Sequence, residues 1–123
     1  MASRLYLVID HDRAPVGPTT LQIDPAVRTA EYVVWLAPDA RGKGLATEAA
    51  ALTLQWAFEY AALRMVWLKA SEPNAAGITA WEKAAFKPVG RLRQSGCWHG
   101  RPCVELLMDA LADEAPTAPA AAS

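Results

Sequence analysis

A chain of 123 residues in which 12 lysines and arginines face 13 acidic residues has room for one domain and one core, and its formal net charge of -1 excludes a general attraction to nucleic acid or an anionic membrane. No apolar run approaches the ~20 residues needed to span a bilayer, and the opening MASRLYLVIDHD lacks a signal peptide's apolar stretch, so a cytoplasmic protein is expected. Cys97 and Cys103, with only His99 between them, offer too few ligands for a structural zinc site; no metal is expected and the thiols read as unpaired.

Along the chain, residues 5–10 (LYLVID) are β-prone and give way to HDRAPVG, where Pro15 and Gly17 read as a turn. Residues 19–24 (TTLQID) alternate Leu21 and Ile23 with polar neighbours, predicting a second strand antiparallel to the first. EYVVWLAP, residues 31–38, is a third strand closed by Pro38. Beyond Gly42 and Gly44 the period changes. Leu45, Ala49, Leu52 and Trp56 fall at helical spacing while Glu48, Gln55 and Glu59 mark the wet side, which predicts a helix of about four turns with the first set inward.

RMVWLKA, residues 64–70, is apolar enough for a strand buried on both faces. SEPNAAGITAWEKAAF then opens a second helix, with Asn74 as N-cap and Ile78, Trp81 and Ala85 inward. KPVGRLRQ and RPCVELLMDAL read as two closing strands around a turn at 95–100. Residues 112–123, ADEAPTAPAAAS, carry no large apolar side chain, and a disordered tail is expected behind a single domain of residues 1–111.

The predicted order is β-β-β-α-β-α-β-β: an α+β fold whose mostly antiparallel sheet contains one β-α-β unit. A right-handed crossover places the loop RGKGLATEA, residues 41–49, at the carboxyl ends of the strands, where open sheets bind ligands. A helix that starts just after a strand aims unpaired N–H groups and its positive dipole end forward. Gly42 and Gly44 let that backbone come close, and Arg41 and Lys43 add charge, the ingredients of a phosphate cradle. The same residues also suit a tight turn with solvated cations. Leu45 and Ala46 stand where a Walker loop needs lysine and a hydroxyl, and Thr47 stands where the dinucleotide fingerprint needs its third glycine.

RGKGLA, read as Arg/Gln-x-x-Gly-x-Gly/Ala, resembles the acyl-CoA pyrophosphate loop of the GNAT superfamily of N-acetyltransferases, and APDARGKGLATEA is especially similar to the ribosomal-protein N-terminal acetyltransferase-like branch. NAAGITAWEKAAF, residues 74–86, is similar to a second family segment, N-x-x-S/A-x-x-x-Y/L-E-K-x-G-F, at Asn74, Glu82, Lys83 and Phe86. The resemblance runs from about Val16 to Leu111. It implies an acetyl-CoA site: the backbone of Val34, Trp35 and Leu36 pairing with the pantetheine arm, main-chain N–H groups of Arg41, Gly42, Lys43, Gly44, Leu45, Ala46 and Thr47 around the pyrophosphate, and Asn74 near the pantetheine or the sulfur. Asn74 also reads as a plain helix cap. For such a ligand the third strand and RMVWLKA must splay, with a β-bulge expected near Val33 to Trp35.

The implied activity is direct transfer of an acetyl group from acetyl-CoA to an amine, the acceptor being a small molecule or a protein N-terminus. Such transfer needs a neutral amine, a polarised carbonyl and a proton for the leaving thiolate. Glu31, at the start of the third strand, is the candidate base; an exposed strand-edge charge is its other reading. The sequence departs from the family where a tyrosine acid often stands, which is Trp81, and where a serine follows the asparagine, which is Gly77. Lys69 occupies a strand position used for a base by some relatives and has the wrong charge for that role. Tyr32 and His99 are the remaining acid candidates. Family members also open with a strand and one or two helices that wall the acceptor site, which this sequence does not show; the expectation is either a short form with an open acceptor groove or a homodimer in which the neighbouring subunit supplies the wall, and exposed Trp and Leu favour the dimer. A second reading of the same departures is an acyl-CoA-binding protein with little or no catalysis.

Overall fold

The computed structural model describes residues 3–11, 14–34 and 44–114. Six strands form one sheet: β1 (Ser3–His11), β2 (Ala14–Asp24), β3 (Thr29–Val34), β4 (Met65–Ser71), β5 (Lys87–Trp98) and β6 (Arg101–Leu111), in the spatial order β1-β2-β3-β4-β6-β5. Helix α1 (Leu45–Glu59) joins β3 to β4 and α2 (Ala75–Lys83) joins β4 to β5. All neighbours run antiparallel except β3 and β4, the pair bridged by the crossover helix. The fold class and the order of elements are those the sequence predicts.

Strand periodicity sorts side chains onto two unlike faces. Leu21, Ala30, Tyr32, Val66, Leu68, Ala70, Met108 and Ala110 turn to one side and are buried beneath α1 and α2, together with Ala50, Leu54, Ala57, Ala84 and Phe86. On the other side stand Glu31, Val33, Trp67, Lys69, Glu105, Leu107, Asp109 and Leu111, none of them buried. β4 is therefore buried on one face only, where burial on both was expected.

Helix α1 corrects its predicted inward stripe. Leu45 is buried as expected, but the remaining contacts are made by Ala50, Thr53, Leu54 and Ala57, whereas Leu52 and Trp56 point outward with 60% and 37% of their surface exposed. The segment is apolar nearly all the way round, so periodicity alone could not fix its phase. Packing did: Ala50 and Ala57 let the helix lie close on the sheet, a fit that Leu52 and Trp56 would prevent.

Three further boundaries differ from expectation. Pro15 and Gly17 lie in β2 rather than in a turn. Residues 14–18 pair with β1, and Pro15 stands opposite Asp10 beside the register shift at Ile9 and Asp10, an irregularity at which a residue that cannot donate is tolerated. The turn expected at 95–100 shrinks to His99 and Gly100, both at positive φ (52° and 78°), while β5 runs on through a bulge between Leu92 and Gly96 that holds Gln94 at φ 55°. Ala112–Glu114, assigned to the tail by sequence, form a 3-10 turn, and Glu114 pairs with Lys87 at 3.3 Å. The rest of that tail lies outside the described residues.

The end of α2 is a Schellman motif. The Phe86 N–H donates to the Trp81 carbonyl at 3.0 Å and the Ala85 N–H to that of Glu82 at 3.1 Å, which drives Ala85 to φ 88°. Ala85 is thus not part of the inward stripe; it occupies the left-handed position that glycine adopts without strain. Replacing Ala85 by glycine is expected to stabilise the fold by about 1 kcal/mol, raising the melting temperature by about 4 °C in a calorimetric scan. An unchanged or lower midpoint would show that the strain is relaxed elsewhere.

Candidate active site

β3 and β4 stay hydrogen-bonded only from Thr29–Glu31 to Met65–Trp67, although β3 continues to Val34 and β4 to Ser71. Past Glu31 the strands part. Main-chain groups of β3 that face β4 lose their ladder partners there, and such unpaired N–H and C=O groups suit an amide-bearing ligand. The splay expected from sequence is present, but the bulge is not found up to Val34: β2 and β3 pair in unbroken register from Asp24↔Thr29 to Thr19↔Val34. Trp35 lies outside the described residues. As far as Val34, it is divergence of the strands that frees the backbone.

The parting opens a cleft of about 210 Å³ lined by Glu31, Tyr32, Val33, Val34, Leu68, Lys69, Trp81 and Glu105. That volume suits the reacting ends of two substrates rather than a whole nucleotide. By strand alternation, Tyr32, Val34 and Leu68 come from the helix-covered face and Glu31, Val33, Lys69 and Glu105 from the open one. The cleft therefore passes through the sheet. One mouth is aromatic and apolar, and the other is charged.

The first turn of α1 lies against α2 beside Trp81, which lines the aromatic mouth. Gly44 caps α1 at φ 74° with no side-chain hydrogen bond, and the helix ladder begins with Glu48 donating to the Gly44 carbonyl at 3.2 Å, so the N–H groups of Leu45, Ala46 and Thr47 have no partner within the helix. The Thr47 hydroxyl donates to the Ala80 carbonyl at 3.1 Å, tying this first turn to α2 one residue before Trp81. Thr47 accordingly has its main-chain N–H, not its side chain, to offer an anion. Asn74 caps α2: its Oδ1 accepts from the Gly77 N–H at 3.0 Å. A Cβ at Gly77 would fall 2.4 Å from Asn74 Nδ2, so the serine of the family pattern does not fit this asparagine conformation. Trp35, Leu36, Arg41, Gly42 and Lys43 lie outside the described residues.

Glu31 is half-buried on the charged side, at the last residue of β3 still paired with β4. Among the acid candidates, His99 sits exposed at the β5–β6 hairpin tip, edge-on to Trp98 at 4.9 Å, and does not line the cleft. Tyr32 lines it and is 2% exposed, with its ring edge-on to Trp81 at 6.1 Å and parallel to Phe86 at 6.3 Å. Burial raises the Tyr32 pKa, and the neighbouring Thr19 and Thr53 hydroxyls oppose that rise. Both hydroxyls donate elsewhere, Thr19 to the Val33 carbonyl and Thr53 to that of Ala49, and the Tyr32 hydroxyl is left without a hydrogen bond of acceptable geometry among the described residues.

Tyr32→Phe is therefore expected to stabilise the fold by about 1 kcal/mol in urea titrations, because an orphaned buried hydroxyl carries an uncompensated desolvation cost. A group that keeps its proton longer when folded loses stability as pH rises above its unfolded pKa of ~10, so the variant should also lose less stability on the alkaline side. Destabilisation at neutral pH would mean that the hydroxyl is satisfied.

Glu105 was not singled out by sequence. It stands opposite Ser71 and Leu92, and a Cβ at Gly96 would come within 2.7 Å of its Cγ, so the bare glycine makes room for the carboxylate stem. Cys97 and Cys103 are both free thiols; their opposite partners, Pro102 and Gly96, place them on different faces of the hairpin. Among the described residues no helix is long and apolar enough to cross a membrane, and no group of three or more His, Cys, Asp or Glu is placed to hold a metal ion.

Comparison with known proteins agrees with this geometry. Over 91 residues the chain is 31% identical to the spermidine N(1)-acetyltransferase of Escherichia coli K12, an alignment covering 73% of this chain and 49% of that protein. The chain thus spans about half the length of the curated relatives it matches. Among solved structures, the Vibrio cholerae spermidine N-acetyltransferase in complex with CoA and spermine superposes with a TM-score of 0.82 at 24% identity, covering 90% of this chain and 67% of that one; at that identity the likeness shows the fold. A probable acetyltransferase gives the same TM-score at 25% identity, covering 90% and 63%. These relatives direct the resemblance toward spermidine acetyltransferases rather than the ribosomal-protein branch. The family model for the acetyltransferase (GNAT) domain matches residues 2–87, more than two thirds of the sequence, and the chain belongs to that family.

Proposed function

We propose that the protein is a cytoplasmic N-acetyltransferase that carries an acetyl group from acetyl-CoA directly to a small primary amine. The observation that carries this reading is the cleft through the sheet, with an unpaired strand backbone and a helix amino end on one side and Glu31 on the other. Acetyl-CoA supplies the activated acyl carbon. Freed main-chain groups of Tyr32 to Val34 hold its amide-bearing arm as an added strand would, and the first turn of α1 faces its phosphates. From the open face Glu31 takes a proton from the incoming ammonium, leaving the nitrogen lone pair free to attack.

The relatives favour a small amine over a protein N-terminus, since the curated ones are named for spermidine. The second reading, an acyl-CoA-binding protein without catalysis, is favoured by one feature: Trp81 lines the cleft where the family pattern has a tyrosine, and an indole does not protonate a thiolate. Thiol release from acetyl-CoA across a panel of small amines separates the two. Amine-dependent release is expected; donor binding without it, over a wide pH range, supports the binding protein instead. A homodimer belongs to the same reading, supported by Val33 and Leu111 lying 54% and 36% exposed on the open face, and light scattering on the purified chain measures it.

A further inference from the structure

We propose that Lys69 is itself an acetyl acceptor, modified within its own cleft by the donor that the cleft binds. The inference rests on the acetyltransferase reading but concerns a covalent site on this chain. Lys69 lines the same cleft as Glu31, and alternation along β4 turns it to the open face that also carries Glu31 and Glu105. Its partner on β6 is Leu107, which cannot bind an ammonium, and β3 no longer pairs with β4 at this level, so the side on which a donor would lie is open.

Lys69 is exposed and takes part in no ion pair or side-chain hydrogen bond among the described residues. Lys87, by contrast, is held by Glu114. The flexible four-carbon stem of Lys69 carries its amine across the cleft that it shares with Glu31. A primary amine is thus tethered where an external amine must enter.

The step balances without an added reagent beyond the acetyl thioester. Glu31 accepts a proton from the Lys69 ammonium. The Nζ lone pair then attacks the thioester carbonyl and the C–N bond forms, the nitrogen gives up its second proton to solvent, the C–S bond breaks with its electron pair on sulfur, the thiolate is protonated from solvent, and Glu31 returns its proton to solvent. The products are Nζ-acetyl-lysine, free thiol and one released proton. Loss of the Lys69 charge leaves Glu31 and Glu105 facing the acceptor mouth unopposed, which draws cationic amines more strongly.

The test is tryptic mass spectrometry of the full chain after incubation with acetyl-CoA, alongside calorimetric CoA binding and thiol release with the amine panel. Acetylation at Lys69 blocks cleavage there and yields peptide 65–83 carrying one acetyl group. The expected label appears at a rate per molecule independent of dilution and at least ~10-fold faster than at Lys43, Lys83 or Lys87, as an intramolecular reaction requires. It disappears in Lys69→Arg, falls in Glu31→Gln, and is unaffected in the control Lys83→Arg. Amine-dependent thiol release with Lys69 unmodified overturns this inference and leaves the acetyltransferase reading intact. Equal labelling of all four lysines, unchanged in Glu31→Gln, is chemical acetylation and also overturns it. Absence of CoA binding removes both.

Discussion

Replacing Glu31 by glutamine is expected to lower kcat for amine-dependent thiol release by about 100-fold or more while leaving CoA affinity within about 3-fold, the pattern of a lost proton acceptor rather than a lost binding contact. Glutamine keeps the shape and the hydrogen-bonding reach of the side chain but cannot take a proton. The backbone at this position is fixed from both sides, by Gln22 of β2 and Trp67 of β4, so the substitution should not move the strand. Stopped thiol-trapping assays give kcat, and calorimetry gives the CoA affinity. A fall of less than about 3-fold in kcat would remove Glu31 from the chemistry and leave an ordered water as the base.

Phe86→Ala carries the largest expected cost in stability, about 3–5 kcal/mol in urea titrations, against a total of ~5–15 kcal/mol for a domain of this kind. Phe86 is 2% exposed, among the largest fully buried side chains, and its ring lies parallel to that of Tyr32. It also closes the end of α2 through its N–H, so truncation opens a cavity at a point where the helix terminus is already pinned. Because Tyr32 and Trp81 line the cleft and Tyr32 leans on Phe86, the variant should weaken CoA binding as well. A loss below about 1.5 kcal/mol would mean that the surrounding side chains collapse into the space.

Much of the fold was legible because it depends on short stretches. The strand segment around Leu21, the cap at Asn74, the change of period after Gly44 and the parallel pair bridged by α1 all follow from local pattern and connection rules. Where local pattern was ambiguous the reading failed in a recognisable way. Leu52 and Trp56 fall at inward spacing yet face outward because an all-round apolar helix gives no phase, and Pro15 and Gly17 carry turn chemistry yet lie in β2, where a register shift opposite accommodates the proline. Ser95 was read as the start of a turn, whereas its hydroxyl donates to the Leu92 carbonyl inside a bulge.

The candidate site divides in the same manner. The sequence by itself determined the element order, the strand on which Glu31 sits, and a glycine at position 44 whose positive φ starts α1, since each depends on residue type and near-neighbour spacing. Only the tertiary structure decided that β3 and β4 part after Glu31, that Glu105 from a strand far along the chain joins the same cleft, and that Lys69, on its charged side, forms no ion pair among the described residues. Those facts depend on register and on which face of the sheet the helices cover. Both are set by packing between segments distant in sequence, where a shift of one residue would turn every side chain to the opposite face.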